Sequence, residues 1–176
     1  APLANRGIAL QQLQRHAEAE LALRDALRLK PDSEPVLTAL AASLHALGRH
    51  REAVATAEQA AALAPGRPEP WINLGLALHG LGQLEDAEAA YRRAIGAVPE
   101  APAAAAMAVY NLGHVLNDQW RTAEALAHFR RAAALDPACQ PARQALLFNL
   151  LYAPAETEES LFTAHREWGR DLARRY

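Results

Sequence analysis

Cysteine is almost missing from this chain of 176 residues. Cys139 stands alone, which excludes an internal disulfide, and no charged or nucleophile-like neighbour flanks it to make a reactive thiolate. Lysine is as scarce: Lys30 is the single lysine among 18 basic residues, the rest are arginine, and no basic run occurs. With a formal charge of -2 and a pI near 6.4 the chain lacks the positive field that favours nucleic acid, which is therefore not an expected partner. An apolar span of about 20 residues, the length of a membrane-crossing helix, is missing, and so is any signal-peptide pattern. The expectation is a soluble, cytoplasmic chain with no membrane partner. No Gly-rich phosphate loop or other cofactor signature is present, so no catalytic, cofactor-binding or metal site is expected within these residues.

What the chain has in excess is alanine, the best helix former and a residue small enough to let helices approach. One stretch organises the rest: PEPWINLGLALHGLGQLEDAEAAYRRAIGAVPE, residues 68–100. Trp71, Leu74 and Leu78 recur at spacings of three and four and so share a helix face, and Gly82 closes that helix. Ala87, Tyr91 and Ala94 form a second helical face, which Pro99 ends. The stretch predicts a helical hairpin in which Gly75 faces Ala87 and Ala94, small against small, while the large residues interlock.

Thirty-four residues earlier the pattern recurs as Leu37, Leu40, Ala41, Leu44, Gly48, Ala53, Ala57, Ala60 and Pro65. A further thirty-four back gives Leu3, Gly7, Leu10, Ala19, Leu23, Ala26 and Pro31, with Arg6 as the misfit. Going forward the step is thirty-eight, to Val109, Leu112, Gly113, Leu116, Ala125, Phe129, Ala132 and Pro137. Helices are predicted over about 2–14, 17–30, 34–47, 50–63, 68–81, 84–97, 103–117 and 122–135. The four extra residues lie in APAAAAMAVYNLG, where they lengthen a first helix by about one turn that would project from the array. Trp120 stands where Gly48 and Gly82 stand earlier, which predicts a rearranged turn and an exposed Trp.

This pattern resembles the tetratricopeptide repeat family, whose Trp, Leu, Gly, large, Ala, aromatic, Ala and Pro positions are matched by Trp71, Leu74, Gly75, Leu78, Ala87, Tyr91, Ala94 and Pro99. The resemblance implies an all-α fold: a right-handed superhelix of antiparallel helix pairs, with four repeats (about 1–33, 34–67, 68–101 and 106–139) making a 1–137 array, followed by C-terminal helices over 140–176. It also implies a concave groove, lined by the first helix of each pair, that binds a protein or an extended peptide segment. Both ends look cut, since neither carries the polar capping unit that repeat arrays need. Bare apolar end helices would allow a homo-oligomer.

After Pro137 the rhythm restarts in PARQALLFNLLY, with Leu146, Leu147, Leu150 and Leu151 in a helical stripe, and then ceases to be a repeat. Ala153, Pro154 and Ala155 break the helix, and Thr157 with Glu158 and Glu159 starts a last one whose apolar face is Leu161, Phe162, His165, Trp168 and Leu172. The segment FNLLYAPAETEESLFTAHREWGRDLARRY resembles the junction after the repeats in bacterial O-GlcNAc transferase and SPINDLY-like glycosyltransferases, at Leu151, Tyr152, Pro154, Glu159, Leu161, Phe162, His165, Arg166 and Trp168. That resemblance implies the targeting arm of a glycosyltransferase whose catalytic region is not within these residues. The alternative is a free-standing adaptor without enzymatic activity.

Candidate binding residues follow from the implied groove. Asn5, Asn73 and Asn111 hold one place in three copies, with Ala39 in the second. In the O-GlcNAc transferase family asparagines there hold a peptide backbone, for which an amide has both donor and acceptor; equally, Asn can brace a neighbouring repeat. The remaining groove candidates are Ile8, Gln11, Thr38, His45, Ile72, Leu76, His79, Tyr110, His114, Asn117 and Asp118. The groove lacks the Lys and Arg cluster that would hold a C-terminal carboxylate, which makes chaperone tails poor partners. His45, His79 and His114 recur at or near one repeat spacing, but stacked repeats separate equivalent side chains by roughly 10 Å, too far to share a metal. They read as solvated polar residues, His165 as packed, and the acidic pair Glu85 and Asp86 as complements to a helix dipole.

Overall fold

A computed structural model of the chain describes residues 2–98 and 102–150, with positions 162, 163, 165, 166, 169, 170 and 173 beyond them. Nine α-helices run through the described residues: α1 Pro2–Gln12, α2 His16–Leu29, α3 Glu34–Ala46, α4 His50–Leu63, α5 Pro68–Gly80, α6 Leu84–Gly96, α7 Pro102–Asp118, α8 Thr122–Leu135 and α9 Gln140–Leu150. The eight helices predicted for the repeats all form. The chain divides into two compact units, Ala1–Ala101 and Pro102–Tyr176. In the first, α1 pairs with α2, α3 with α4 and α5 with α6, while α3 packs on both α1 and α5. In the second, α8 packs between α7 and α9.

Three of the hairpins close around a large residue set against a small one. A Cβ at Gly75 would stand 2.6 Å from the Tyr91 ring, so the glycine makes room first of all for the tyrosine. Gly7 does the same for Leu23 and Gly113 for Phe129, each again at 2.6 Å. In the second copy both places hold alanine, Ala41 and Ala57, and both are fully buried. The contact is filled by glycine against one large residue in three hairpins and by alanine against alanine, a smaller pair, in the second.

All four turns share one geometry. Gly48 and Gly82 sit at φ 74°, where the following N–H reaches back to Leu44 O or Leu78 O and the glycine's own N–H reaches His45 O or His79 O. This pattern satisfies the last carbonyls of the first helix. The predicted rearrangement at Trp120 does not occur. Trp120 takes φ 62°, its N–H bonds Asn117 O at 2.9 Å, and Arg121 N–H bonds Leu116 O at 2.9 Å, as in the glycine turns. The side chain is left 89% exposed. Gln14, at φ 60°, closes the first hairpin in the same way.

Helix α7 has 17 residues against 13 in α5, so the four extra residues do lengthen it by one turn. That turn does not simply project, because Ala105 on it is buried. In α9, Leu150 is buried and Leu146 and Leu147 are half-buried. His165, expected to be packed, is exposed, as is Phe162 with the Arg166 guanidinium 5.7 Å from its ring centre. Pro99, Leu151, Tyr152, Ala153, Pro154, Ala155, Thr157, Glu158, Glu159, Leu161, Trp168 and Leu172 lie outside the described residues.

An ion-pair network spans α2 and α4. Arg24 donates from Nε to Glu20 at 2.8 Å and from Nη2 to Glu52 at 3.0 Å. Arg49 donates from Nη1 to Glu20 at 2.6 Å and grips both Glu52 oxygens at 2.6 and 2.7 Å. Burial pushes the Glu20 carboxyl up, but the hydrogen bonds from the two arginines outweigh it and hold the group below its usual value.

Candidate functional site

The first helices each keep a stripe that their partners do not cover. In α1 it is Ala4, Ile8 and Gln11; in α3, Thr38, Ala42 and His45; in α5, Ile72, Leu76 and His79; in α7, Tyr110, His114 and Asn117. Every one of these residues is half-buried, and the spacing is four and then three in each helix. The stripe is one face of the helix, turned partly away from the hairpin core. Asp118, at the end of α7, is exposed.

The three asparagines differ. Asn5 is exposed on α1. Asn73 donates from Nδ2 to Thr38 O of α3 at 2.9 Å, so it braces one hairpin to the one before. One amide hydrogen and the carbonyl oxygen of Asn73 are not committed by that bond. Asn111 is buried and its Nδ2 meets no partner among the described residues. Ala39, at the same place in the second copy, is buried.

The histidines and the tyrosine make local clusters. The His45 and His50 rings lie 5.1 Å apart, and burial, then the fields of His50 and His79, lower the His45 imidazole below its usual value. Among the described residues no group of three or more His, Cys, Asp or Glu is placed to hold a metal. In the second unit Tyr110 meets His114 edge-on at 4.7 Å, and His114 meets Phe129 at 5.1 Å. Burial raises the Tyr110 hydroxyl above its usual value, with a smaller push from Cys139, itself a buried free thiol.

Family models described as tetratricopeptide repeat match residues 2–33, 38–102 and 106–135, which is most of the chain. The chain belongs to the tetratricopeptide repeat family. Solved structures agree in fold. It is similar to Pseudomonas aeruginosa pilF at a TM-score of 0.80 and 19% identity, over 98% of this chain and 74% of that one. A thermophilic tetratricopeptide protein of Thermus thermophilus matches at 0.77 and 21%, over 94% and 88%. The RS-1 MamA double mutant matches at 0.75 and 22%, over 97% and 94%. At such identities the likeness establishes the fold alone. No curated protein matches the chain. Tetratricopeptide folds serve protein and peptide partners, and no described helix is long and apolar enough to cross a membrane.

The sequence missed one feature of the first unit. A cleft of about 600 Å³ opens between α4 and α6 over Trp71, Leu74 and Leu78 of α5. Glu58 and Asp86 stand on its two walls. A signal was available: thirty-four residues before Glu58 and Gln83 stand Arg24 and Arg49.

Proposed function

We propose that the chain is a protein-interaction scaffold in which the first helices of the first unit, α1, α3 and α5, bind an extended peptide segment. The observation that carries this is the recurrence of the same three half-buried positions in α1, α3 and α5. Apolar Ile8, Ile72 and Leu76 would supply burial, and the polar members would supply hydrogen bonds to peptide groups. Each such bond contributes about 0.5–1.5 kcal/mol net, against an ordering cost of similar size, so affinity for any one short peptide is modest.

The test is a titration of varied extended peptides against parent, Leu76→Arg and Asn73→Ala chains. Leu76→Arg puts a charge into the stripe and lowers affinity about tenfold or more across the panel, with melting little changed. Unaltered binding in that variant would remove the proposal. Asn73→Ala loses a brace, so it lowers melting whether or not the amide also meets a peptide. Its affinity then tells whether the free donor and acceptor are used.

A finer reading makes this scaffold the targeting arm of an O-GlcNAc transferase-like glycosyltransferase. It is supported by the resemblance of residues 148–176. Coding sequence beyond residue 176 that held Rossmann-type strands and a Gly-rich turn would support it; a stop codon there would favour the adaptor.

A further inference from the structure

The two gaps between successive second helices of the first unit are built on the same plan and finished differently. Between α2 and α4, Arg24 and Arg49 lie between Glu20 and Glu52 and close the gap with the chain's own cations. One repeat later the acid is kept, as Asp86 in place of Glu52, but both arginines are gone. Glu58 stands in place of Arg24 and Gln83 in place of Arg49, while Val54 replaces Glu20. A small residue, Ala61 in place of the packed Leu27, leaves space unfilled. The result is the cleft of about 600 Å³, a size typical of ligand sites.

Its chemistry is set by few groups. Leu74 and Leu78 give an apolar floor, and the Trp71 ring is fixed by its Nε1–H donating to Pro65 O at 3.0 Å. Arg93, the basic residue among those lining it, lies over that ring at 5.0 Å. Among the described residues Glu58 and Asp86 pair with no cation, Arg93 included, and both are exposed to solvent.

We propose that this cleft docks a basic, amphipathic segment of a partner protein. Its arginine or lysine would sit between Glu58 and Asp86, as Arg24 and Arg49 sit in the earlier gap, and its aliphatic side chains would lie on Trp71, Leu74 and Leu78. The earlier gap is an internal demonstration of which charge closes this architecture. The site lies on the side of the second helices, apart from the first-helix stripe, and does not depend on it.

The probe is a short, capped, fluorescent peptide of Arg, Leu and Ala, with a counterpart carrying Glu for every Arg, followed by anisotropy at low and moderate salt. The Arg peptide binds and weakens with salt, and the Glu peptide does not bind. Glu58→Gln with Asp86→Asn weakens the Arg peptide about tenfold. Glu58→Arg with Gln83→Arg restores the earlier gap's cations, so it abolishes binding while melting holds or rises, which shows that the variant is folded. Leu76→Arg leaves this binding unchanged, so failure here is separable from failure at the first-helix stripe. Equal binding of the two peptides, or parental affinity in the Glu58→Arg, Gln83→Arg variant, would overturn the proposal.

Discussion

The second and third hairpins have the same length, the same glycine turn and the same order of helices, yet they meet across different pairs. In the second, Ala41 faces the place of Ala57; in the third, Gly75 admits the ring of Tyr91. Their outer edges differ in parallel: arginines fill the gap before α4, and acids line the gap before α6. The repeat therefore conserves element geometry and the burial of the pair, and leaves the size and identity of each contributor free. What varies between copies is where small residues leave space and which charges remain without a partner.

The core pair gives the strongest way to break this comparison. Tyr91→Ala empties a fully buried site and should cost about 3–5 kcal/mol. Gly75→Ala drives a methyl to 2.6 Å from the ring and should cost about 1–3 kcal/mol. The double variant reproduces the Ala41 and Ala57 pairing, so its cost should fall clearly below the sum of the two single costs. Urea unfolding of the three variants is the measurement. Strict additivity would mean that the glycine and the ring are not complementary.

A smaller effect extends the comparison to the fourth hairpin. Gly48 and Gly82 adopt φ 74° without penalty, whereas Trp120 adopts φ 62° with a Cβ that opposes it. Trp120→Gly should stabilise the second unit by about 1 kcal/mol, and thermal melting would show it. Because the Trp120 ring is 89% exposed, the exchange forfeits almost no burial. A loss of stability would show that the indole makes contacts that outweigh the backbone strain.

The smallest effect concerns the filled gap. The Glu20 carboxyl is held below its ordinary value near 4.5, so it contributes stability that is complete above that value and is lost as pH falls through its folded value. Glu20→Gln should lower stability at neutral pH by less than about 1 kcal/mol, since both arginines are partly exposed. The difference from the parent should vanish in acid. A variant whose deficit persists undiminished at low pH would place the loss in packing and not in charge.

Most of the fold was legible in the sequence because the repeat signal is carried by size: Leu74, Leu78 and Pro65 can be read without knowing their neighbours. The observed helix ends lie within two residues of the predicted ones. Contacts across the hairpin were harder. Spacing places Gly75 on a face but cannot say whether Ala87 or Tyr91 enters the space, because side-chain direction decides it. Trp120 misled for a related reason, since residue preference for a left-handed turn is weaker than the two backbone hydrogen bonds that the turn makes. Asn73 was legible as a candidate, but its bond to Thr38 O needed the stacking of α5 on α3. The cleft depends on which residues of neighbouring repeats meet across α4 and α6, which the pattern of a single repeat does not carry.

Within each unit every helix packs only on helices one or two places away in the chain. Such contacts have short loops to close, so the barrier to folding is low and nucleation can begin in any hairpin. The same locality means that one end can unravel while a neighbouring pair stays folded, and hydrogen exchange would then follow a gradient along the chain. Melting of this molecule is in that case a progression, with each hairpin carrying its own midpoint, set by the neighbours it has on either side.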